Sequence, residues 1–476
     1  MMNKSIAMGD NFAWLGGKEL VELVKKFEAM LKNGLQLFFD VDEFESIIDH
    51  YYDMHDIDMT EKAIEEALQV YPTSSSFNIR RARVLAYRKK YYEALELLNH
   101  VELLEPTNDE IYASKAEIYS LMNKFELAIK EYKKSLPYSE NQEDLYASIA
   151  FEYENLNDYP NAIKNLKKAL AINPNSENLI HEIAFFFEIT GREEEGMNFF
   201  TEFLDKNPYS KVAWFNLGIF YNTLELYEKA IQAYEFTIAI DEKFSSAYFN
   251  IANSYSGLNL YKMSIKYYKE TFNYEAEEAI THYYIGECYE NLDDAHQAQE
   301  YFNKALELDD KLAEAWAGKG RVFIKLGKSE TAVKYYERAI ELMPLNNDFK
   351  YELAVLFLQQ TLYEKTNKLF SEIVQKDEHY IEAWVNYSYS AGLSEGNEKA
   401  IEIIEKALDN NKKEASLWYR LAAYLYRSGK VQQSYYYIET ALKLDFDKHK
   451  ELLDFMPELK QESRFIELLG IYKGSE

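Results

Sequence analysis

Residues 211–244 read KVAWFNLGIFYNTLELYEKAIQAYEFTIAIDEKF. Within this stretch Ala230-Ile231-Gln232-Ala233-Tyr234 returns as Ala332-Val333-Lys334-Tyr335-Tyr336, 102 residues downstream, which is three steps of 34. Stepping by 34 in both directions places repeat starts at 41, 75, 109, 143, 177, 211, 245, 279, 313, 347, 381 and 415, with no insertion from Val41 to Lys448. A fixed period of this length is the mark of stacked supersecondary units, each burying its apolar face on the next.

The columns of this register show what the units are. Position 20 is small in all twelve, from Thr60 and Ala94 through Gly196 and Ala230 to Ser434, and position 8 is Ala, Gly or Ser in every repeat except the first, where Ile48 stands. Two small columns twelve residues apart predict two helices whose backbones approach closely. Position 11 is aromatic in nine repeats, among them Tyr51, Tyr221 and Phe323, and position 24 is large and apolar in all, from Ile64 through Phe302 to Ile438. Large knobs therefore face small holes. Proline recurs at position 32 (Pro72, Pro106, Pro174, Pro208, Pro344), where it ends one helix and opens the next. Short polar turns such as Leu326-Gly327-Lys328 join the helices of a repeat.

This spacing resembles the tetratricopeptide repeat, whose columns are matched best by Trp214, Leu217, Gly218, Tyr221, Ala230, Tyr234 and the prolines just named. Arg81, Lys115 and Lys319 depart from its Leu column and Phe203 from its second Ala column. The resemblance implies an all-α, right-handed superhelical solenoid, and the gapless array is similar to uncharacterised bacterial members of the family, for which it implies architecture without an activity. A solenoid must cover its two apolar ends. The expected division is a tail and capping helix over 1–40, twelve repeats over 41–448, and capping helices over 449–476. Leu20, Leu23, Val24, Phe27, Met30 and Leu31 supply the first cap, and Leu452, Leu453, Phe455, Leu459, Phe465, Leu468 and Leu469 the second.

Composition narrows the function. Only 17 glycines and 8 prolines in 476 residues argue against turn-rich sandwiches and barrels, and 47% hydrophobic residues argue against disorder. One cysteine, Cys288, leaves no intramolecular disulfide or cysteine cluster and fits a reducing compartment. A net charge of −28 with no visible basic stripe repels phosphate backbones, so nucleic acid is not an expected partner. No run approaches the roughly 18 apolar residues of a membrane span. A cytoplasmic protein is the expectation, and its oligomeric state is open.

Catalytic patterns fail on inspection. Gly327-Lys328-Ser329 has Val322 where a phosphate loop needs its first glycine, and His181-Glu182 has Phe185 where a zinc-protease helix needs its second histidine. Cys288, at position 10, reads as an inert core thiol. The 41 tyrosines fall mostly on repeat columns, and Trp214, Trp316, Trp384 and Trp418 share position 4, so both read as packing. No enzyme, cofactor or metal site is expected.

What remains is the surface of the first helices. In the family this helix lines a groove through positions 2, 5, 6, 9, 12 and 13. Here those positions hold Val212, Phe215, Asn216, Ile219 and Asn222, then Ser246, Phe249, Asn250, Asn253 and Ser256, then Ile280, Tyr283, Tyr284 and Glu287. An asparagine offers an acceptor and a donor at once and so can hold a passing peptide unit. Asn216, Asn250 and Asn386 at position 6 resemble the asparagine ladder of O-linked N-acetylglucosamine transferase, of which only the binding function could carry over. The alternative is that these amides cap local backbone. The expected partner-binding set is Phe215, Asn216, Asn222, Phe249, Asn250, Asn253, Tyr283 and Glu287, on a non-catalytic scaffold that holds an extended protein or peptide segment. A chaperone or targeting subunit, or the regulatory arm of a separately encoded enzyme, are the alternatives. A second candidate is the acidic face Asp42, Glu45, Asp49 and Asp53 of the first repeat, open to a basic segment or a cation unless Arg80 and Arg83 neutralise it.

Overall fold

The structure, a computed structural model, describes residues 17–473. The tail expected over residues 1–16 and the final three residues lie outside the described residues. All regular structure among the described residues is helical, twenty-seven α-helices and one short 3-10 helix at Pro457–Gln461. The fold is an all-α solenoid of successively paired helices, an A and a B helix in each repeat. B helices begin at 57, 91, 125, 159, 193, 227, 261, 295, 329, 363, 397 and 431, and A helices begin on the first residue of every repeat but the fourth, which starts one residue early at Gln142.

The period of 34 is held by how each A helix stops. In eleven repeats the residue at position 15 has a positive φ, from His55 (58°) through Glu225 (57°) to Gly429 (77°). The next N–H then reaches back five residues to the position-11 carbonyl, as in Asp56 to Tyr51 (2.9 Å) and Lys328 to Phe323 (2.9 Å). This closing bond satisfies a carbonyl that the helix end would leave unpaired and turns the chain into the B helix. Only Gly191, Gly327 and Gly429 among the eleven are glycines. In the eleventh repeat the A helix runs on to Glu395 and the left-handed residue shifts to Gly396.

Knobs and holes meet as the columns require. A methyl built on Gly218 would lie 2.4 Å from the ring of Tyr234, one on Gly286 2.7 Å from Phe302, and one on Gly320 2.7 Å from Tyr336. These are position-8 glycines under position-24 rings, and only a residue without Cβ lets the two helices approach so far. The tryptophans pack as expected, Trp214 stacking on Phe236 at 4.4 Å and Trp418 on Tyr437 at 5.3 Å. Each of the four also donates its indole N–H to a carbonyl six residues earlier, as Trp214 does to Pro208 (2.8 Å) and Trp384 to Glu378 (2.9 Å), which pins the preceding turn.

The chain divides into two compact halves, Met1–Ile240 and Asp241–Glu476. In the first, Leu23, Val24, Phe27 and Met30 of the helix Gly17–Asn33 share a core with Phe44, Ile47 and Ile48 of the first repeat. In the second, Leu452, Met456, Leu459 and Phe465 share a core with Tyr419, Ala423, Tyr435 and Ile438 of the twelfth.

Candidate functional site

The A helix of the seventh repeat, Ser245–Gly257, buries Ser245, Ala247, Tyr248, Ile251, Ala252 and Ser254 on one face. Ala247, Ile251 and Ala252 go inward, and Phe249, Asn250 and Asn253 remain half-buried on the other side. Around them the second half builds an aromatic cluster. Phe249 meets Tyr268 at 5.3 Å and Tyr284 at 5.7 Å, both edge-on, while Tyr268 and Tyr284 stack at 5.8 Å with their planes only 9° apart. Tyr268 donates its hydroxyl to Asn253 Oδ1, and Asn253 Nδ2 reaches Asn250 Oδ1 at 3.5 Å. The Asn250 amide nitrogen has no partner among the described residues, which leaves a donor beside the half-exposed rings of Phe249 and Tyr284, with Tyr268 buried beneath them.

Tyr283 and Glu287, on the A helix Ala279–Asn291, belong to a charged network. The Tyr283 hydroxyl donates to Glu287 Oε1 at 2.5 Å, and Arg321 lies 3.4 Å from the same oxygen, 3.0 Å from Glu290 and 3.7 Å from Glu352. Three carboxylates thus surround one guanidinium across the eighth, ninth and tenth repeats. Burial, with Glu290 and Glu352 close by, holds the Glu287 carboxyl above its usual range against the pull of Tyr283 and Arg321. Burial likewise raises Glu352, against Arg321. For Arg321 burial works against the charge, but the carboxylates outweigh it and hold the guanidinium above its usual range.

The first half holds the remaining three expected residues, and one is corrected. Asn216 is 5% exposed, and its Nδ2 donates to the Val212 carbonyl one turn back at 2.8 Å, so this amide caps local backbone and faces no groove. Val212 is buried as well. The cause is the helix Lys211–Thr223 itself, which buries Val212, Ala213, Asn216, Leu217, Gly218 and Phe220, a wider face than the family's positions allow for. Phe215 and Asn222 stay half-exposed, Phe215 against Tyr234 at 5.7 Å. Asn386 is also engaged, donating to the Tyr351 hydroxyl at 2.8 Å. Of the three ladder amides only Asn250 keeps its nitrogen free.

The acidic face of the first repeat is half neutralised. Arg80 grips Asp49 through two bonds of 2.9 Å and lies 3.5 Å from Glu45. Arg83 turns instead to Glu110 (3.1 Å) and Glu117 (4.0 Å) on the third repeat. Among the described residues no three His, Cys, Asp or Glu side chains are placed to hold a metal, and no helix is long and apolar enough to cross a membrane. Cys288 is buried and donates to Ser264 Oγ at 3.3 Å, and burial pushes its thiol up. Lys115, anomalous in its column, is buried in an ion pair with Glu102. Lys319 rests on the rings of Trp316 (5.2 Å) and Tyr335 (4.5 Å).

Three family models for the tetratricopeptide repeat match the sequence. One covers residues 277–344, one 317–377, and one 109–141, 143–176, 212–243 and 245–275. The chain is a tetratricopeptide-repeat protein. No curated protein matches it. Among solved structures it is similar to the APC/C hetero-tetramer Cut9-Hcn1, at 13% identity over 85% of this chain and 92% of that one with a TM-score of 0.42. It is also similar to YrrB, described as a TPR protein with an unusual peptide-binding site, at 20% identity over 39% and 95% of the two chains and a TM-score of 0.31. A third is PilF of Pseudomonas aeruginosa, at 16% identity over 42% and 92% with a TM-score of 0.37. The tetratricopeptide assignment supports a scaffold for protein interactions in general terms. Sequence reasoning missed the network around Arg321, although setting position 12 of one repeat beside position 9 of the next would have paired Glu290 with Arg321.

Proposed function

We propose that this tetratricopeptide-repeat protein is a non-catalytic scaffold that holds an extended segment of a partner protein against the exposed face of its A helices. The observation that carries the reading is the free Asn250 amide beside the half-exposed Phe249 and Tyr284 rings, backed by the buried Tyr268, because a donor next to an aromatic floor can bind a backbone carbonyl and cover an apolar side chain together. Asn253, tied to Tyr268, holds the floor in place. Tyr283 and Glu287 border the site in the same half, and Phe215 and Asn222 offer contacts of their own in the first half. The same reading divides the chain into a capping helix before Val41, twelve repeats over 41–448, and a cap beyond. It places the protein in the cytoplasm, where Cys288 stays a thiol.

The test is a titration of a partner segment, identified by crosslinking, against the native chain and Asn250→Ala. Removing the donor leaves a carbonyl of the segment unpaired, a loss of about 1–3 kcal/mol, or roughly fivefold to more than a hundredfold in affinity. Unchanged affinity in Asn250→Ala would refute this site.

A further inference from the structure

A partner segment that follows the A-helix face, as proposed above, meets the helix Ala415–Arg427 at the twelfth repeat. Arg420 and Arg427 are seven residues apart on it, two turns along one face. Both guanidinium groups lie on the ring of Phe455, at 3.8 and 4.4 Å from its centroid. Tyr389 and Tyr424 hold that ring edge-on at 5.9 and 5.5 Å. Arg427 donates to the Phe455 carbonyl at 2.9 Å.

What these arginines lack is an ion pair. Arg80, Arg83, Arg321 and Arg338 each sit within 3.7 Å of a carboxylate. Arg420 makes no hydrogen bond or ion pair among the described residues, and Arg427 makes no ion pair, in a chain of net charge −28. Burial holds Arg420 below its usual range, helped by the like charge of Arg427 and only partly opposed by Tyr424 and by Glu451, whose carboxylate makes no ion pair with it. A cavity at its base, lined by Val385, Ser416, Tyr419, Glu451 and Leu452, measures about 10 Å³ and has room for one water at most. An anion must therefore come from the solvent side, where Arg420 is still partly exposed.

We propose that Arg420 and Arg427, held on the Phe455 ring, capture a carboxylate side chain of the partner segment. A guanidinium offers a planar fork of donors that fits a carboxylate, and the ring fixes the plane of that fork before the ligand arrives. In the same half Glu287, Glu290 and Glu352 crowd a single arginine and repel carboxylates. The partner segment is therefore acidic where it crosses the twelfth repeat and not where it crosses the eighth to tenth, which gives it one direction along the helices.

The probe is a fluorescein-labelled twelve-residue peptide of repeating Ser-Glu-Gly, with a second peptide carrying Gln for Glu, titrated by anisotropy against the full chain at low ionic strength. The Glu peptide is expected to bind about tenfold tighter than the Gln peptide in spite of the overall charge, and added salt is expected to erase the difference. Arg420→Gln with Arg427→Gln should remove the preference, and Arg420→Lys should keep part of it. Phe455→Leu keeps an apolar side chain on the terminal helix and guards against a mere packing effect, since it should reduce the preference less than Arg420→Gln. Equal binding of the two peptides, no binding of the Glu peptide, or a preference that survives the double arginine variant would overturn the proposal. Asn250→Ala separates the two ideas. If the Glu preference persists but Asn250→Ala weakens neither peptide, the groove site fails and the arginine site stands.

Discussion

Phe302 is wedged between two glycines, and adding one methyl to either should show it. Its ring is fully buried, and a Cβ on Gly286 would lie 2.7 Å away on one side while a Cβ on Gly318 would lie 2.6 Å away on the other. Carbon atoms prefer about 3.5–4.0 Å, so Gly286→Ala demands a shift of roughly 1 Å from a ring that Gly318 already stops. Overpacking of this kind costs about 1–3 kcal/mol, and with no room on either side the upper part of that range applies. Alanine returns about 1 kcal/mol of helix propensity, which leaves a net loss of about 1–2 kcal/mol. Phe302→Leu alone should also destabilise, but in the Gly286→Ala background the new methyl fills vacated space, so the two should couple by about 0.5 kcal/mol or more. Urea unfolding followed by circular dichroism reads the sum. Hydrogen exchange at Ala279–Asn291 and Ala295–Leu308 reads the site, which matters because repeat arrays need not unfold as one unit. A Gly286→Ala midpoint at or above the native one, or simple additivity in the double variant, would refute the knob-and-hole register.

Thr361 holds a left-handed turn at φ 59° in spite of its branched side chain, so Thr361→Gly should raise the urea midpoint by relieving about 1 kcal/mol of strain, and a lower midpoint would contradict the role given to position 15. Glu152 is 2% exposed, one of its oxygens has no hydrogen-bond partner, and burial raises its carboxyl. A raised carboxyl contributes stability only below its unfolded pKa of about 4.3 and loses it as pH climbs through the folded value, so Glu152→Gln should raise Tm at neutral pH with a gain that fades toward pH 4. A gain that grows on acidification would reverse that sign. Ending the chain at Lys448 removes Leu452, Met456, Leu459 and Phe465 from the last core, and the Ala415–Arg427 amides should then exchange faster while the seventh and eighth repeats stay protected. A truncated monomer with full protection at the twelfth repeat would sink the capping role.

The architecture was legible because it is written in columns. Ala230 and Ala332, one hundred and two residues apart, are both fully buried, and the B helices keep the step of 34 that the alignment of those two segments set. The closing turns were legible in part: Gly, Asn or Asp stands at position 15 in Asn123, Asn157, Gly191, Asn259, Asp293, Gly327 and Gly429, whereas Lys89, Glu225 and Thr361 carry no such preference and are held there by the packing of the two helices they join. The site was legible in part. Column position separated Phe249 and Asn250 from the core, but it could not distinguish Asn250 from Asn216, because an i to i−4 bond to backbone and burial in a neighbour's packing leave the same letter at the same position. The unpaired state of Arg420 depends on where Phe455 folds back, a contact between the last repeat and a helix outside the period.

The claim at the centre is that a partner lies along the A helices, and site-specific photo-crosslinking addresses it most directly. A benzophenone amino acid would replace Phe249 or Tyr284 on the proposed face, and Tyr436, 67% exposed on the B helix Val431–Leu444, would be the control. The account predicts that Phe249 and Tyr284 crosslink to one and the same stretch of one partner, mapped by mass spectrometry, and that Tyr436 does not reach it. Crosslinks to that stretch from Tyr436, with none from Phe249 or Tyr284, would place the partner on the opposite face and contradict the account.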